Sequence, residues 1–323
     1  MKRFLSVFLS LILIITAFAA CSKSETDNSD QAAASSEEKK LSVVCSIFPQ
    51  YDFCKEITGE KANVDLLLKS KVDMHNYKPS ADDILKIKNC DLFVYIGGES
   101  DEWVEDVLES IQEKNLPVLS LIDVVDAKSE EPLEGMEEEE HEDEEDHDEK
   151  DEHIWTSLKN AQVIVKAISE KLCSLDSQNA EEYKANAEAY CSKLSALEKD
   201  YAETVAGAKR KTLLFADRFP FRYLADDYSL ECFAAFSGCS AETQASFETI
   251  KFLVEKVKEK NLPYVLKIDG SDGSVAETVA SQSGAEIKSL NSCQSVSEDE
   301  IKNGASYLSI MKDNLDVLKE VLN

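Results

Sequence analysis

The sequence predicts an α/β protein built as two lobes joined by a long helical stretch. Short apolar runs alternate with segments of helical period over residues 41–122, and again over 212–290. Between them, residues 156–211 hold one glycine and no proline, while apolar residues recur every three or four positions. Strands alternating with helices at short spacing imply a parallel sheet covered on both faces. Proline-free periodicity near 3.6 implies helix. A chain of 323 residues is long enough for two domains.

In the first lobe, "LSVVCSIF" is a buried strand closed by Pro49, and "YDFCKEITGE" is a helix ending near Gly59. "ANVDLLLK" alternates as a second strand. In "SADDILKIKNC", Ser80 is an N-cap followed by Asp82 and Asp83, acids that favour the positive end of a helix. "DLFVYIGG" is a third strand, "SDEWVEDVLESIQEK" a helix and "LPVLSLI" a fourth strand. The connector places Ile164, Ala167, Ile168 and Leu172 on one face, then Tyr183, Ala187, Tyr190, Leu194 and Leu197. It is one long helix, or two with a break at 174–179. The second lobe repeats the alternation from "TLLFA" to "AEIKSL" and ends in the helix "YLSIMKDNLDVLKEVL". Ligands of such lobes bind at the carboxyl ends of the strands, in the cleft between them.

The N-terminus directs export. Lys2 and Arg3 precede an apolar run over 4–20, and "FAAC" ends at Cys21. A basic start, a short apolar region and small residues before a cysteine resemble a bacterial lipobox, so Cys21 is the expected lipidation site. The polar stretch that follows suits a flexible tether. A net charge of −29 repels a phosphate backbone and argues against nucleic-acid binding. Eight cysteines remain after Cys21, an even number in an exported chain. Disulfides are possible there, with Cys232 and Cys239 as a local pair, and buried free thiols are the alternative. Without a CxxC motif, a cysteine zinc site has little support.

Three of the four histidines fall in "EEEEHEDEEDHDEKDEHIW", six residues apart, as His141, His147 and His153. With Glu134, this segment carries fourteen acids and one lysine. Such a run repels itself and resists folding. Its imidazoles and carboxylates each bind a cation weakly, and many on one tether raise the effective concentration near a neighbouring site. A collector loop bearing His141 and His147 is one reading, and a solvated spacer the other. His153 differs, because it opens the helical region with Ile154 and Trp155. His75, in "KSKVDMHNYKPSADDI", follows a strand and precedes a helix, where an α/β sheet presents ligands. Imidazole suits first-row metals, zinc in particular.

The stretch from "VVCSIFPQYDF" through "KVDMHNYKPSADDI" to "GESDEWVEDVL" resembles the N-terminal lobe of the zinc/manganese substrate-binding proteins of ABC importers. "DEHIWTSLKNAQVI" is similar to that family's second signature, and "YLSIMKDNLDVLKEVL" to its last helix. The resemblance covers residues 41–323. It implies two Rossmann-like lobes, one long rigid helix between them, and a metal held in the inter-lobe cleft. It also implies His75 and His153 as the first two ligands. The third ligand position falls on Arg218, which cannot ligate a cation, so a one-residue shift to Asp217 is expected to supply the carboxylate. The fourth falls on Asn291, with Asp269, Asp272 and Glu242 as substitutes. The resulting division is 1–20 signal peptide, 21–40 tether, 41–133 first lobe, 134–152 acidic loop, 153–211 linker helices and 212–323 second lobe.

The expected function is a monomeric lipoprotein that captures a divalent cation outside the cell for an ABC permease and ATPase. Zinc is preferred for its imidazole ligands, and manganese is the alternative on the strength of the carboxylates. An extracellular metal buffer or an adhesin of the same fold is the second reading. With no HExxH or GxSxG motif, a hydrolase is not expected.

Overall fold

The computed structural model describes residues 39–69, 73–111, 115–137, 150–240, 244–294 and 296–323. The expected signal peptide, the expected lipidation site Cys21, nearly all of the expected tether, His141, His147 and Glu242 lie outside the described residues.

The first lobe runs β1 (Leu41–Cys45), α1 (Phe48–Thr58), β2 (Ala62–Leu66), α2 (Ala81–Asn89), β3 (Leu92–Tyr95), α3 (Trp103–Ser110) and β4 (Val118–Ser120). Two helices follow, α4 (Leu158–Leu175) and α5 (Ala180–Gly207). The second lobe contains β5 (Thr212–Arg218), α6 (Arg222–Tyr228), β6 (Glu231–Phe236), α7 (Phe247–Glu259), β7 (Tyr264–Ile268), α8 (Ser274–Ser283) and β8 (Glu286–Leu290). The short α9 (Glu298–Lys302) and the terminal α10 (Tyr307–Val321) complete it. Each lobe holds a four-stranded parallel sheet, in the orders β2-β1-β3-β4 and β6-β5-β7-β8. The two sheets therefore share one topology.

Strand side chains sort by alternation onto two faces. In β1, Val43 and Cys45 join an inner core while Val44 joins an outer one. In β5, Leu213 and Phe215 face inward while Leu214 and Ala216 face outward. The inner core is continuous across both lobes and takes in the buried faces of α1, α4, α5 and α10.

The connector is the broken form of the two expected. At the break, Asp176 accepts a hydrogen bond from Tyr183 Oη at 2.7 Å and another from Asn179 Nδ2 at 2.8 Å. The 28 residues of α5 span about 42 Å. This helix is bonded to both lobes. Asn186 Nδ2 donates to the Ile57 carbonyl of α1 at 2.9 Å, and Tyr201 Oη donates to the Met311 carbonyl of α10 at 2.6 Å. No helix among the described residues is long and apolar enough to cross a membrane.

Candidate metal centre

His75 lies in a 3-10 turn, Met74–Asn76, after β2. Asp73 caps that turn by accepting the His75 N–H at 3.2 Å. The ring Nδ1 is 2.6 Å from Ser100 Oγ, which fixes the imidazole plane, and the buried Nε2 has no hydrogen-bond partner. His153 is wholly buried and stands immediately before a 3-10 turn, Ile154–Thr156, that leads into α4. One oxygen of Asp151 accepts both its backbone N–H at 2.8 Å and its ring Nδ1–H at 3.0 Å. Its Nε2 is likewise buried without a partner. The two ring centroids are 5.4 Å apart.

A carboxylate on Nδ1 keeps the lone pair on Nε2, the tautomer a metal requires. Burial pushes His75 down to about 3, and neighbouring His153 adds to that shift. Burial opposes charge on His153 as well, but the bond and charge of Asp151 outweigh it and hold that imidazole above its usual range. A third donor completes the cluster. Cys239 Sγ and one ring nitrogen from each histidine all lie within 4.8 Å of one another. Burial, then the charges of Glu130, Glu152 and Asp151, push the Cys239 thiol up.

Carboxylates surround these donors. Ser129 and Lys150 form an antiparallel bridge that brings Glu130 and Asp151 to the cleft. Glu130 Oε1 accepts the N–H groups of Gly238 at 2.8 Å and Cys239 at 3.4 Å. Fully buried Glu152 accepts the Ser100 N–H at 2.6 Å, and burial lifts its carboxyl to about 7. Gly98, at φ +95°, passes so close that a Cβ there would sit 2.7 Å from Glu152 Oε1. The expected acidic loop of 134–152 therefore ends in residues packed into the site. At its other end, the Glu137 N–H donates to the Ala235 carbonyl of β6 at 2.9 Å.

His75 and His153 are brought together, and among the described residues Asp217, Asp269 and Asp272 are not part of the donor cluster they form. Asp217 accepts the N–H of Ile268 at 3.0 Å, the hydroxyl of Ser271, and the N–H of Arg218 at 2.8 Å. It thereby ties the end of β5 to the loop after β7. Asp269 accepts Asn291 Nδ2 at 3.2 Å, and Asp272 caps α8 at the Ser274 N–H at 2.9 Å. Arg218 faces the cleft, with Nη1 2.5 Å from Asp73 Oδ2. Gln294 Nε2 donates to the other Asp73 oxygen at 3.1 Å, so Asp73 receives two groups of the opposite lobe. Cys239, Glu130, Asp151, Glu152 and Ser100 were missed as site residues. The acid two positions before His153 was the one local signal among them. Cys232 and Cys239 are free, as is every cysteine among the described residues.

The profile of the periplasmic zinc-uptake complex component A family, ZnuA, matches residues 43–321. The chain belongs to this family. It is 34% identical over 307 residues to the high-affinity zinc uptake system protein ZnuA of Bacillus subtilis, covering 94% of this chain and 93% of that protein. It is 32% identical to the zinc-binding lipoprotein AdcA of Streptococcus pneumoniae over 87% of this chain, but spans only 56% of AdcA. The Zn(II)-bound ZnuA-like domain of AdcA superposes with a TM-score of 0.72 at 30% identity, over 88% of this chain and 99% of that domain. A laminin-binding adhesin of Streptococcus agalactiae superposes with a TM-score of 0.76 at 25% identity, over 88% of this chain and all of that one. Like other members of the ZnuA family, the chain has two parallel-sheet α/β lobes.

Proposed function

We propose that this ZnuA-family chain captures zinc in its inter-lobe cleft through His75 Nε2 and His153 Nε2 and delivers it to the permease and ATPase of an ABC importer. The observation that carries the reading is the pair of buried imidazole nitrogens, 5.4 Å apart by ring centroid, neither with a hydrogen-bond partner. Burying a polar atom unpaired costs free energy, and a cation bound between the two removes that cost. Zinc binding in the named relatives supports the choice of metal, with manganese as the alternative. Cys21 is the proposed lipid anchor on the extracytoplasmic face, and the protein acts as a monomer. Binding, not turnover, is its role. His141 and His147 serve as an accessory collector that passes cations to the cleft.

Zinc titration of the full chain tests this. One tight site is expected, weakened by roughly two orders of magnitude or more in His75→Ala. Tight binding left unchanged in that variant would overturn the assignment. Deleting 138–149 should remove only weak, additional binding. That deletion spares Glu137, bonded to β6, and Asp151, bonded to His153. The adhesin reading has the laminin-binding neighbour in its favour. Growth in zinc-depleted medium separates the two, because an importer's receptor is needed there and an adhesin is not.

A further inference from the structure

We propose that Cys239 is the third ligand of the captured cation, as a thiolate, and that it biases the cleft toward thiophilic divalent ions and against manganese. The inference rests on the capture of a cation by His75 and His153 and names the donor the second lobe adds to them.

Position carries the argument first. Among the described residues, His75, His153 and Cys239 form the one group of three or more such side chains whose donor atoms lie within 4.8 Å of one another. Donors on a single zinc, about 2.0–2.3 Å from the ion, lie roughly 3.3–3.6 Å apart. Closing the difference takes about an ångström, within reach of side-chain torsions alone. His153 is fully buried, and its Nε2 lacks a partner.

The loop that carries Cys239 is fitted to this spot. A Cβ on Gly238 would sit 2.9 Å from His153 Cε1 and 3.1 Å from both its Nδ1 and the Phe219 carbonyl oxygen. Only glycine lets the backbone run this close to the imidazole. The Glu130 carboxylate then pins the loop through the N–H groups of Gly238 and Cys239. Among the described residues, Arg218 and Asp217 at the end of β5 are engaged elsewhere. Arg218 is itself a cation, paired with Asp73, and Asp217 is bonded to Ile268 and Ser271.

At the sulfur the chemistry balances with one proton. Free of metal, the sulfur keeps its proton, held there by burial and by the charge of the neighbouring Glu130 carboxylate. On binding, the S–H bond breaks as the sulfur–metal bond forms. That proton passes to the Glu130 carboxylate and then to water, and each imidazole binds through an Nε2 that carries no proton, any proton held there leaving to water as the ion enters. Thiolate with imidazole favours zinc, cobalt and cadmium, whereas manganese prefers oxygen donors.

Cobalt(II) titration of the full chain tests the inference. An intense near-ultraviolet thiolate-to-cobalt charge-transfer band should grow to one equivalent and vanish on adding zinc. Cys239→Ser should lose the band, keep its circular dichroism spectrum, and bind zinc more weakly by roughly tenfold or more, with a narrower preference over manganese. Cys239→His should restore zinc binding without the band, and Cys232→Ser should keep it. Stoichiometric cobalt binding without a charge-transfer band, or a band retained in Cys239→Ser, overturns the thiolate ligand and leaves histidine capture standing. A wild-type chain that binds neither cobalt nor zinc overturns both.

Discussion

A single carboxylate oxygen of Asp151 takes both the backbone N–H and the ring Nδ1–H of His153. It fixes the tautomer and makes Nε2 more basic, toward a proton and a metal alike. Asp151→Asn keeps an acceptor in place but removes the charge. Zinc affinity at pH 8 should fall by about 10- to 100-fold. The loss of affinity on acidification should also become shallower, because the proton that competes at His153 is held less tightly. Competition with a chromophoric chelator measures both, and no change in either would reduce Asp151 to a packing role. At this scale the sequence pointed to two of the three clustered donors. His75 and His153 were visible because each stands alone between a loop and a helical turn, where sheets present ligands. Cys239 was one of nine cysteines, and its closeness to Cys232 suggested a disulfide. Its partners lie in other parts of the chain, so only the folded arrangement of the lobes reveals the contact. Asp217 was chosen by a one-residue shift from Arg218, the position the resemblance implied, and such a shift does not say which way a carboxylate turns at a strand end.

The secondary elements were far more legible, because each depends on local periodicity. The stripe Tyr183, Ala187, Tyr190, Leu194 and Leu197 is buried along α5 as its spacing implied. Ser80 caps α2, accepting the Asp83 N–H at 3.2 Å. How these helices lock together was not legible. Asp52 on α1 accepts the Tyr307 N–H at the start of α10 at 3.0 Å and Tyr190 Oη of α5 at 3.2 Å. Burial lifts its carboxyl to about 6, against the opposing pull of those two bonds. A folded value above the unfolded one means the stabilising contribution is complete below about pH 4 and lost as pH rises through about 6. At neutral pH the ionised, buried carboxylate therefore costs stability. Asp52→Asn removes that charge and keeps an acceptor for both donors. It should stabilise the protein at pH 7.5 by about 1–3 kcal/mol, and the difference between the two proteins should close near pH 4. Denaturant unfolding of both at the two pH values is the check. A variant less stable at both would mean the charge-assisted bonds across the three helices outweigh the cost of burial.

Across the whole molecule, the two lobes meet over a cleft that carries an arginine as well as cation donors. Arg218 belongs to the second lobe, Asp73 to the first, and the turn capped by Asp73 presents His75. The guanidinium has two opposed effects. It bridges the lobes through Asp73 and contacts the Ser240 carbonyl at 3.4 Å, which holds the cleft in one arrangement. It also places a positive charge near the ligands, close enough to contribute to the lowered pKa of His75. The Arg218 and Asp73 side chains are 21% and 25% exposed, so the bridge is partly screened and its net worth is modest. Repulsion between the guanidinium and a divalent ion acts inside the cleft, where screening is weaker. Electrostatics is therefore expected to win. Arg218→Gln should bind zinc more tightly by about tenfold at low ionic strength, with the gain shrinking as salt is added. Hydrogen exchange on α5 should stay unchanged, because that helix is tied to both lobes by Asn186 and Tyr201 independently of the bridge. If Arg218→Gln instead binds zinc more weakly at every salt concentration, the arginine acts chiefly as a latch that pre-forms the cleft. The positive charge would then be tolerated for the geometry it enforces on Asp73 and, through it, on His75.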